Sequence, residues 1–297
     1  MKIGLQVPDF TWPGGAAELG PTLARIASTA DGAGFSYIAL MDHFFQLRSI
    51  GDADREMLEA YTALGFLAAH TERAKLLTLV TGAIYRQPGV LAKIVTTLDV
   101  LSGGRAVLGI GAGWNEEESR GLGIPFPSVR ERFEHLEDSL EVCLRMWSDD
   151  ESGHDGHHVH AERLLNSPQP LTRPHPPIMI GGGGEQKTLR FVARYAQLCN
   201  LFPGPELPHK LEVLREHCER EGRDYDEIEK TVYYIFDTGT DGDRVDTVVS
   251  ELKELADLGI DTAIGAVRDV HTITPLEIIG RDVIPVVADF DTRGRTA

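Results

Sequence analysis

The residues of this chain best suited to chemistry are Asp42 and His43, a titratable pair that closes the apolar run Ser36 to Met41. Histidine changes charge near neutral pH and is the commonest general acid or base, and in parallel α/β folds such groups sit where buried strands end. Two glycine clusters end other apolar runs: Gly109, Gly111 and Gly113 after Arg105 to Ile110, and Gly181-Gly182-Gly183-Gly184 after Ile178. Glycines let a ligand approach the backbone closely. The second cluster opens a predicted helix, Gln186 to Tyr195, that carries Lys187, Thr188 and Arg190. Four free amides at a helix N-terminus with basic residues beside them predict an anion site suited to phosphate. The string GIGAG looks like a dinucleotide fingerprint, but no helix with a suitable acidic partner follows in register. Neither cluster matches the full Gly-x-x-x-x-Gly-Lys-Ser/Thr pattern of a triphosphate loop, since Gln186 precedes Lys187-Thr188, and no Gly-x-Ser-x-Gly elbow is present, which argues against ATP hydrolysis and covalent hydrolysis. His154, His157, His158 and His160 lie in a proline-rich stretch without metal-ligand spacing, so no metal is expected. On the first loop, Phe10 and Trp12 suit either a cover for the core or a ligand pocket.

Elements that could position these residues follow from periodicity. Strands are predicted at Lys2 to Val7, Ser36 to Met41, Lys75 to Thr81, Arg105 to Ile110, Ile178 to Gly181, Leu198 to Leu201, Lys230 to Phe236 and Thr262 to Ala266. Between them run helical patterns at Ala17 to Ala33, Met57 to His70, Pro88 to Leu101, Val129 to Trp147, Gln186 to Tyr195, Leu207 to Glu221, Arg244 to Leu258 and Pro275 to Val287, with a short turn of helix at Asn115 to Gly121. Alternation of this kind predicts a parallel sheet, and eight repeats predict a closed (β/α)8 TIM barrel, with a doubly wound sheet as the alternative. Residues 148 to 177 break the rhythm with five prolines and two glycines, which predicts a lid-like insertion between the fourth helix and the fifth strand. The tail, 289 to 297, is polar and is expected to fray.

At 297 residues and 42% apolar composition the chain suits one large barrel domain. No stretch approaches the roughly 20 apolar residues of a membrane span, and MKIGLQVP reads as a strand, not as an export signal. A net charge of -17 works against nucleic acid or an acidic membrane as partner. Three cysteines, Cys143, Cys199 and Cys218, fall in regular elements and are expected to be reduced core thiols of a cytoplasmic protein. A barrel with a phosphate cradle, a strand-end histidine and glycine turns suits a phosphate-bearing redox cofactor.

Five stretches in order, ALMDHF, VTGAIYRQPGVLAK, LDVLSGGRAVLGIGAGWNEEE, PQPLTRPHPPIMIGGGGEQKTLR and ARYAQLCNLF, resemble the bacterial luciferase-like monooxygenase superfamily, most closely its coenzyme F420-dependent oxidoreductases. The resemblance spans residues 1 to 288, as one barrel domain. It implies hydride transfer between F420 and an unidentified small organic substrate. Alternatives within the superfamily are an FMN-dependent monooxygenase served by a separate reductase, or a non-catalytic flavin-binding barrel. It further implies that the cofactor lies across the strand ends, with Asp42 at its pyrimidine edge or ribityl chain and His43 at the reacting carbon. A non-prolyl cis peptide bulging at Leu79-Val80, packing by Gly111, Ala112 and Gly113, and phosphate held by Gly181 to Gly184 with Thr188 complete the implied site. Lys187, Arg190 and Arg86 are candidate partners for the anionic tail. Sugar-phosphate dehydrogenases of the family carry a glutamate after the Gly-x-Gly where this chain has Trp114, so Trp114, with Trp12, is expected to line a pocket for an apolar or flat substrate. The resemblance also implies a homodimer through the outer faces of the second and third helices, where Leu64, Phe66, Leu67 and Leu98 supply apolar surface.

Overall fold

The computed structural model describes residues 1–292. Eight parallel strands carry the fold: β1 Lys2–Val7, β2 Tyr37–Leu40, β3 Lys75–Thr78, β4 Ala106–Gly111, β5 Ile178–Gly181, β6 Leu198–Leu201, β7 Glu229–Phe236 and β8 Thr262–Val267. Each pairs with its neighbour in sequence, and β8 returns to β1, so the sheet closes on itself. The alternative with open sheet edges is thereby replaced by a (β/α)8 barrel, wrapped by α1 Ala16–Ala33, α2 Ala60–Ala68, α3 Pro88–Ser102, α4 Glu116–Gly121, α5 Val129–Met146, α6 Thr188–Tyr195, α7 Leu207–Glu221 and α8 Val245–Asp257.

Strand alternation sorts the apolar residues into two cores. Ile3, Leu5, Ile38, Leu40, Leu108, Ile110, Ile178 and Ile180 face the helices in the larger one. Tyr37, Ala39, Leu77, Val107, Met179, Leu198 and Ile264 fill the barrel interior. On β4 and β5 the interior residues become glycine towards the strand ends, at Gly109, Gly111 and Gly181, and this is where the third strand bulges. Leu77 pairs with Val107, but the next paired residue, Thr81, lies opposite Ile110, so one extra residue has entered that edge. The bulge is held by Gln6, whose Nε2 donates to Leu79 O at 3.1 Å. The Leu79-Val80 bond within it is cis, at the position the family resemblance implies.

Several boundaries differ from the sequence expectation for identifiable reasons. The helix expected from Met57 starts at Ala60 because Glu59 caps it, its carboxylate accepting from Thr62 N at 2.6 Å. The final helix is broken into α9 Thr274–Ile278, a wider π turn Ile279–Val283 and α10 Ile284–Val287. Pro285 has no amide to donate, and its ring excludes a regular turn there. Stretch 148–177 is fastened to the barrel flank. Asp138 of α5 accepts from the amides of His157, His158 and Val159, Asp99 of α3 accepts from those of Leu171 and Thr172, and Lys93 of α3 donates to Ser167 O. The described part of the expected frayed tail, 289–292, is tethered instead: the N-terminal amine donates to Phe290 O, and Thr292 donates to Asp261. The remainder, 293–297, lies outside the described residues. Among the described residues no helix is long and apolar enough to cross a membrane.

Candidate functional site

His43 stands just past the end of β2 and is 9% exposed. Its Nδ1 meets Glu118 Oε1 of α4 at 2.6 Å. Glu118 is wholly buried and fully used: Oε1 also accepts from the Tyr85 hydroxyl, and Oε2 accepts from the amides of Phe44 at 2.8 Å and Phe45 at 3.2 Å. Burial would push its carboxyl up, but the hydrogen bonds from His43 and Tyr85, the His43 charge and the Phe44 amide outweigh it and hold Glu118 below the usual carboxylate range. Burial and the bond to Glu118 push the Tyr85 hydroxyl up, so it stays a donor. Trp114 closes the other side of the imidazole, edge to face with ring centroids 5.5 Å apart, and is 65% exposed at the mouth.

Asp42 belongs to a separate network. It is 1% exposed and takes a bidentate bond from Arg86, at 2.5 and 3.0 Å, together with the Thr81 hydroxyl. Arg86 also reaches Glu59 Oε1 at 2.6 Å and lies 4.7 Å from the Tyr61 ring centroid. Burial acts against the Arg86 charge, yet Asp42, Tyr61 and Glu59 together raise its affinity for the proton. The expectation of Arg86 as a partner for an anionic tail is therefore corrected: its guanidinium is committed to two carboxylates, which it ties across the base of the loop between β2 and α2.

The two glycine clusters flank Val80. A side chain at Gly111 or Gly181 would meet the Val80 methyls at 3.2 and 3.0 Å, and one at Gly109 would land on Thr78 O. These glycines are thus required by the bulge itself. Gly113 has φ +82°, a left-handed conformation that glycine adopts freely, and the half-buried Ala112 packs on the core beside it. Beyond β5, Gly182 has φ +120° and its amide donates to Asn200 O at 3.1 Å. The expected set of four free amides is corrected accordingly, because β5–β6 pairing continues through Gly182. The helix also begins later than expected, at Thr188, whose buried side chain faces Gly184. Lys210 adds a base that the sequence did not single out; it pairs with Glu185 at 2.6 Å and lies under Gly183. Lys187 is over the Phe133 ring, and Arg190 is exposed beside Phe191.

On the first loop the choice left open divides. Phe10 is buried at 1% exposure as core, and Trp12 is half-buried against it at 5.6 Å. The histidines of the insertion are engaged structurally, His154 with Asp138 and His158 with Glu134 and the His135 ring. All three cysteines are free and buried, and burial pushes the Cys143 and Cys199 thiols up. Glu118, Tyr85 and Thr81, with Lys210, are the site residues that sequence reasoning missed.

Comparison with known proteins identifies the family. Residues 1–261 match the family described as luciferase-like monooxygenase. A protein of Mycobacterium tuberculosis is 32% identical over 222 residues, 70% of this chain and 77% of that one. The F420-dependent glucose-6-phosphate dehydrogenase of Kineococcus radiotolerans is 31% identical over 218 residues, covering 71% of this chain and 62% of its own length. Among solved structures, the monooxygenase RslO1 from Streptomyces bottropensis superposes with a TM-score of 0.80 at 20% identity, over 96% of this chain and 99% of that one. The chain is an enzyme-family barrel, and it belongs to the luciferase-like monooxygenase family.

Proposed function

We propose that this enzyme moves a hydride between coenzyme F420 and a weakly polar organic substrate at the barrel mouth. The observation that carries the reading is the His43–Glu118 pair, 2.6 Å apart at a strand end, because exchange of a hydride with an oxygen-bearing carbon moves a proton as well. The residues present fit a flat ring with a phosphate-bearing chain. Interior glycines and Val80 form a floor without projecting polar groups, and a side chain at Gly183 would meet only the Lys210 stem, at 3.8 Å, so space remains above the cradle. When bound, F420 supplies a ring carbon that gives or takes the hydride. Gly183 and Gly184, with Thr188 and Lys210, would hold its phosphate, with Lys187 and Arg190 near the tail; Gly111, Ala112 and Gly113 would flank its chain. Asp42 supports the ring edge through the Thr81–Arg86 network, and His43 Nε2 is left to exchange the proton. The glucose-6-phosphate activity named for the Kineococcus relative is not carried over: exposed Trp114 stands over His43, and a flat or apolar substrate suits an indole wall, with Trp12 on the adjoining loop.

The buried thiols suit a reducing cytoplasm, and a homodimer through α2 and α3 completes the proposal. The structure corrects which residues would form that contact. Leu64, Leu67 and Leu98 are buried in the protomer's own core, whereas Phe66 is exposed on α2, and Val90, Leu101 and Leu165 are exposed around a groove of 720 Å³ between the two helices.

Parallel calorimetric titrations with F420 and FMN test the cofactor, with Gly183→Asp as control. Gly183 is not in a left-handed conformation and a side chain there meets only Lys210 at 3.8 Å, so the variant should fold, and its carboxylate should weaken F420 binding about tenfold or more, about 1.4 kcal/mol. Tighter binding of FMN than of F420 would replace the reading with the monooxygenase one.

A further inference from the structure

We propose that Glu118 is the positioning residue of this site: its buried carboxylate holds His43 in the Nδ1–H tautomer and so makes Nε2 the atom that exchanges a proton at the mouth. The inference rests on His43 being the proton-transfer group of the proposed reaction, and on geometry for the rest. A neutral imidazole has one donor and one acceptor nitrogen. Glu118 Oε1 stands 2.6 Å from Nδ1 and, as a carboxylate, can only accept, so the proton of the neutral ring lies on Nδ1.

The other bonds to Glu118 explain why it does this and little else. Two backbone amides, of Phe44 and Phe45, grip Oε2 in the loop that carries His43, so the carboxylate and the imidazole are fixed to one another through the same few residues. The Tyr85 hydroxyl occupies Oε1 from the third-strand side. With four donors and no exposure, Glu118 has neither water nor a free lone pair with which to take a proton of its own. When Nε2 gains a proton, Nδ1 keeps the one it has, and the pair goes from a net charge of -1 to 0 in a site closed from water on the carboxylate side. Other charged groups near the ring are internally matched: Asp42 by Arg86, and Glu117 by Arg48 at 2.6 Å. That leaves Glu118 as the one carboxylate bonded to the His43 ring. A burial of this kind also gives α4 its purpose. Six residues, Glu116–Gly121, capped by Asn115, are placed after the β4 glycines to carry one inward acid.

Long-range proton–nitrogen NMR of histidine-labelled protein tests this without substrate or cofactor, with the His43 signals assigned by loss in His43→Gln. In the parent, His43 should give the Nδ1–H signature through its neutral range. Glu118→Gln, which puts a donor-bearing amide beside Nδ1, should turn the tautomer signature into a mixture. Tyr85→Phe removes a competing donor from the same oxygen and should move the Nδ1 proton signal downfield, because the remaining bond to Glu118 shortens. An Nε2–H signature in the parent, or a folded Glu118→Gln with the tautomer unchanged, overturns the proposal. If Glu118→Gln does not fold, Tyr85→Phe decides: a downfield move of the Nδ1 proton supports the coupling and an unmoved signal refutes it. Failure of F420 to bind would overturn the functional reading and leave these results standing.

Discussion

Replacing Arg86 with methionine isolates the network beneath the site. The substitution keeps an apolar stem against Tyr61 and removes the charge that Asp42 and Glu59 share. Asp42, at 1% exposure, is then a buried carboxylate with only the Thr81 hydroxyl for company. Breaking a buried ion pair from one side costs about 3 to 5 kcal/mol, most of it from the uncompensated charge. At about 2.1 cal/mol/K per residue, the 297 residues unfold with an entropy of about 0.6 kcal/mol/K, so the melting temperature should fall by about 5 to 8 °C. Adding Asp42→Asn removes the stranded charge, and the double variant should regain about half of that loss, about 1.5 to 2.5 kcal/mol. Calorimetry on the two single variants and the double variant measures this. A melting point for Arg86→Met within about 1 °C of the parent would refute the assignment. So would a loss of F420 affinity without loss of stability, since Arg86 would then be serving a ligand rather than Asp42.

Acid stability should be set in part by buried aspartates that clamp loops. Burial pushes the Asp31 carboxyl up, but the amides of Ala74, Arg73 and Glu72 outweigh it and lower its pKa; Asp138 is lowered in the same way by His158, His157 and Val159. Because the folded values lie below the unfolded one of about 3.9, their stabilisation is complete above that pH and is lost as pH falls through the folded values. Asp31→Asn should cost about 1 to 3 kcal/mol at pH 7, and its urea midpoint should fall less steeply between pH 5 and 2 than the parent's; an equal slope would count against the clamp. Light scattering should find a dimer at micromolar concentration that Leu101→Lys converts to monomer, and a parent that is already monomeric would sink the α2–α3 interface.

Fold and site were unequally legible in the sequence, and the difference follows the range of the forces involved. Buried parallel strands announce themselves by short apolar runs, and five of the eight, β1, β3, β5, β6 and β8, begin where the runs do. Their order follows from alternation with helices, because a right-handed crossover places each strand beside the last. Errors came where a single side chain overrides a pattern. Glu59 delays α2 by capping it, and Pro285 divides a helix whose apolar spacing is otherwise regular. Leu64, Leu67 and Leu98 lie inside although their spacing allows an outer face, because helical spacing says which residues share a face, but not how wide a stripe the barrel will cover.

The site is harder to read, since its polar partners are distant in the chain. His43 and Glu118 are 75 residues apart, and Asp42 and Arg86 are 44 apart, so no local spacing links either pair. The sequence did hold one overlooked sign of the first. Asn115 caps a helix with Glu116, Glu117 and Glu118 in its first turn, and the helix dipole favours acids there. Yet three consecutive residues on a helix span most of its circumference at 3.6 residues per turn. On a short helix packed against a barrel they cannot all face water. One had to turn inward, and a buried carboxylate must find donors. The strand-end histidine and its two following amides are the donors that a mouth of this fold can offer, which is why the third glutamate is the one bonded to His43 and to the amides of Phe44 and Phe45.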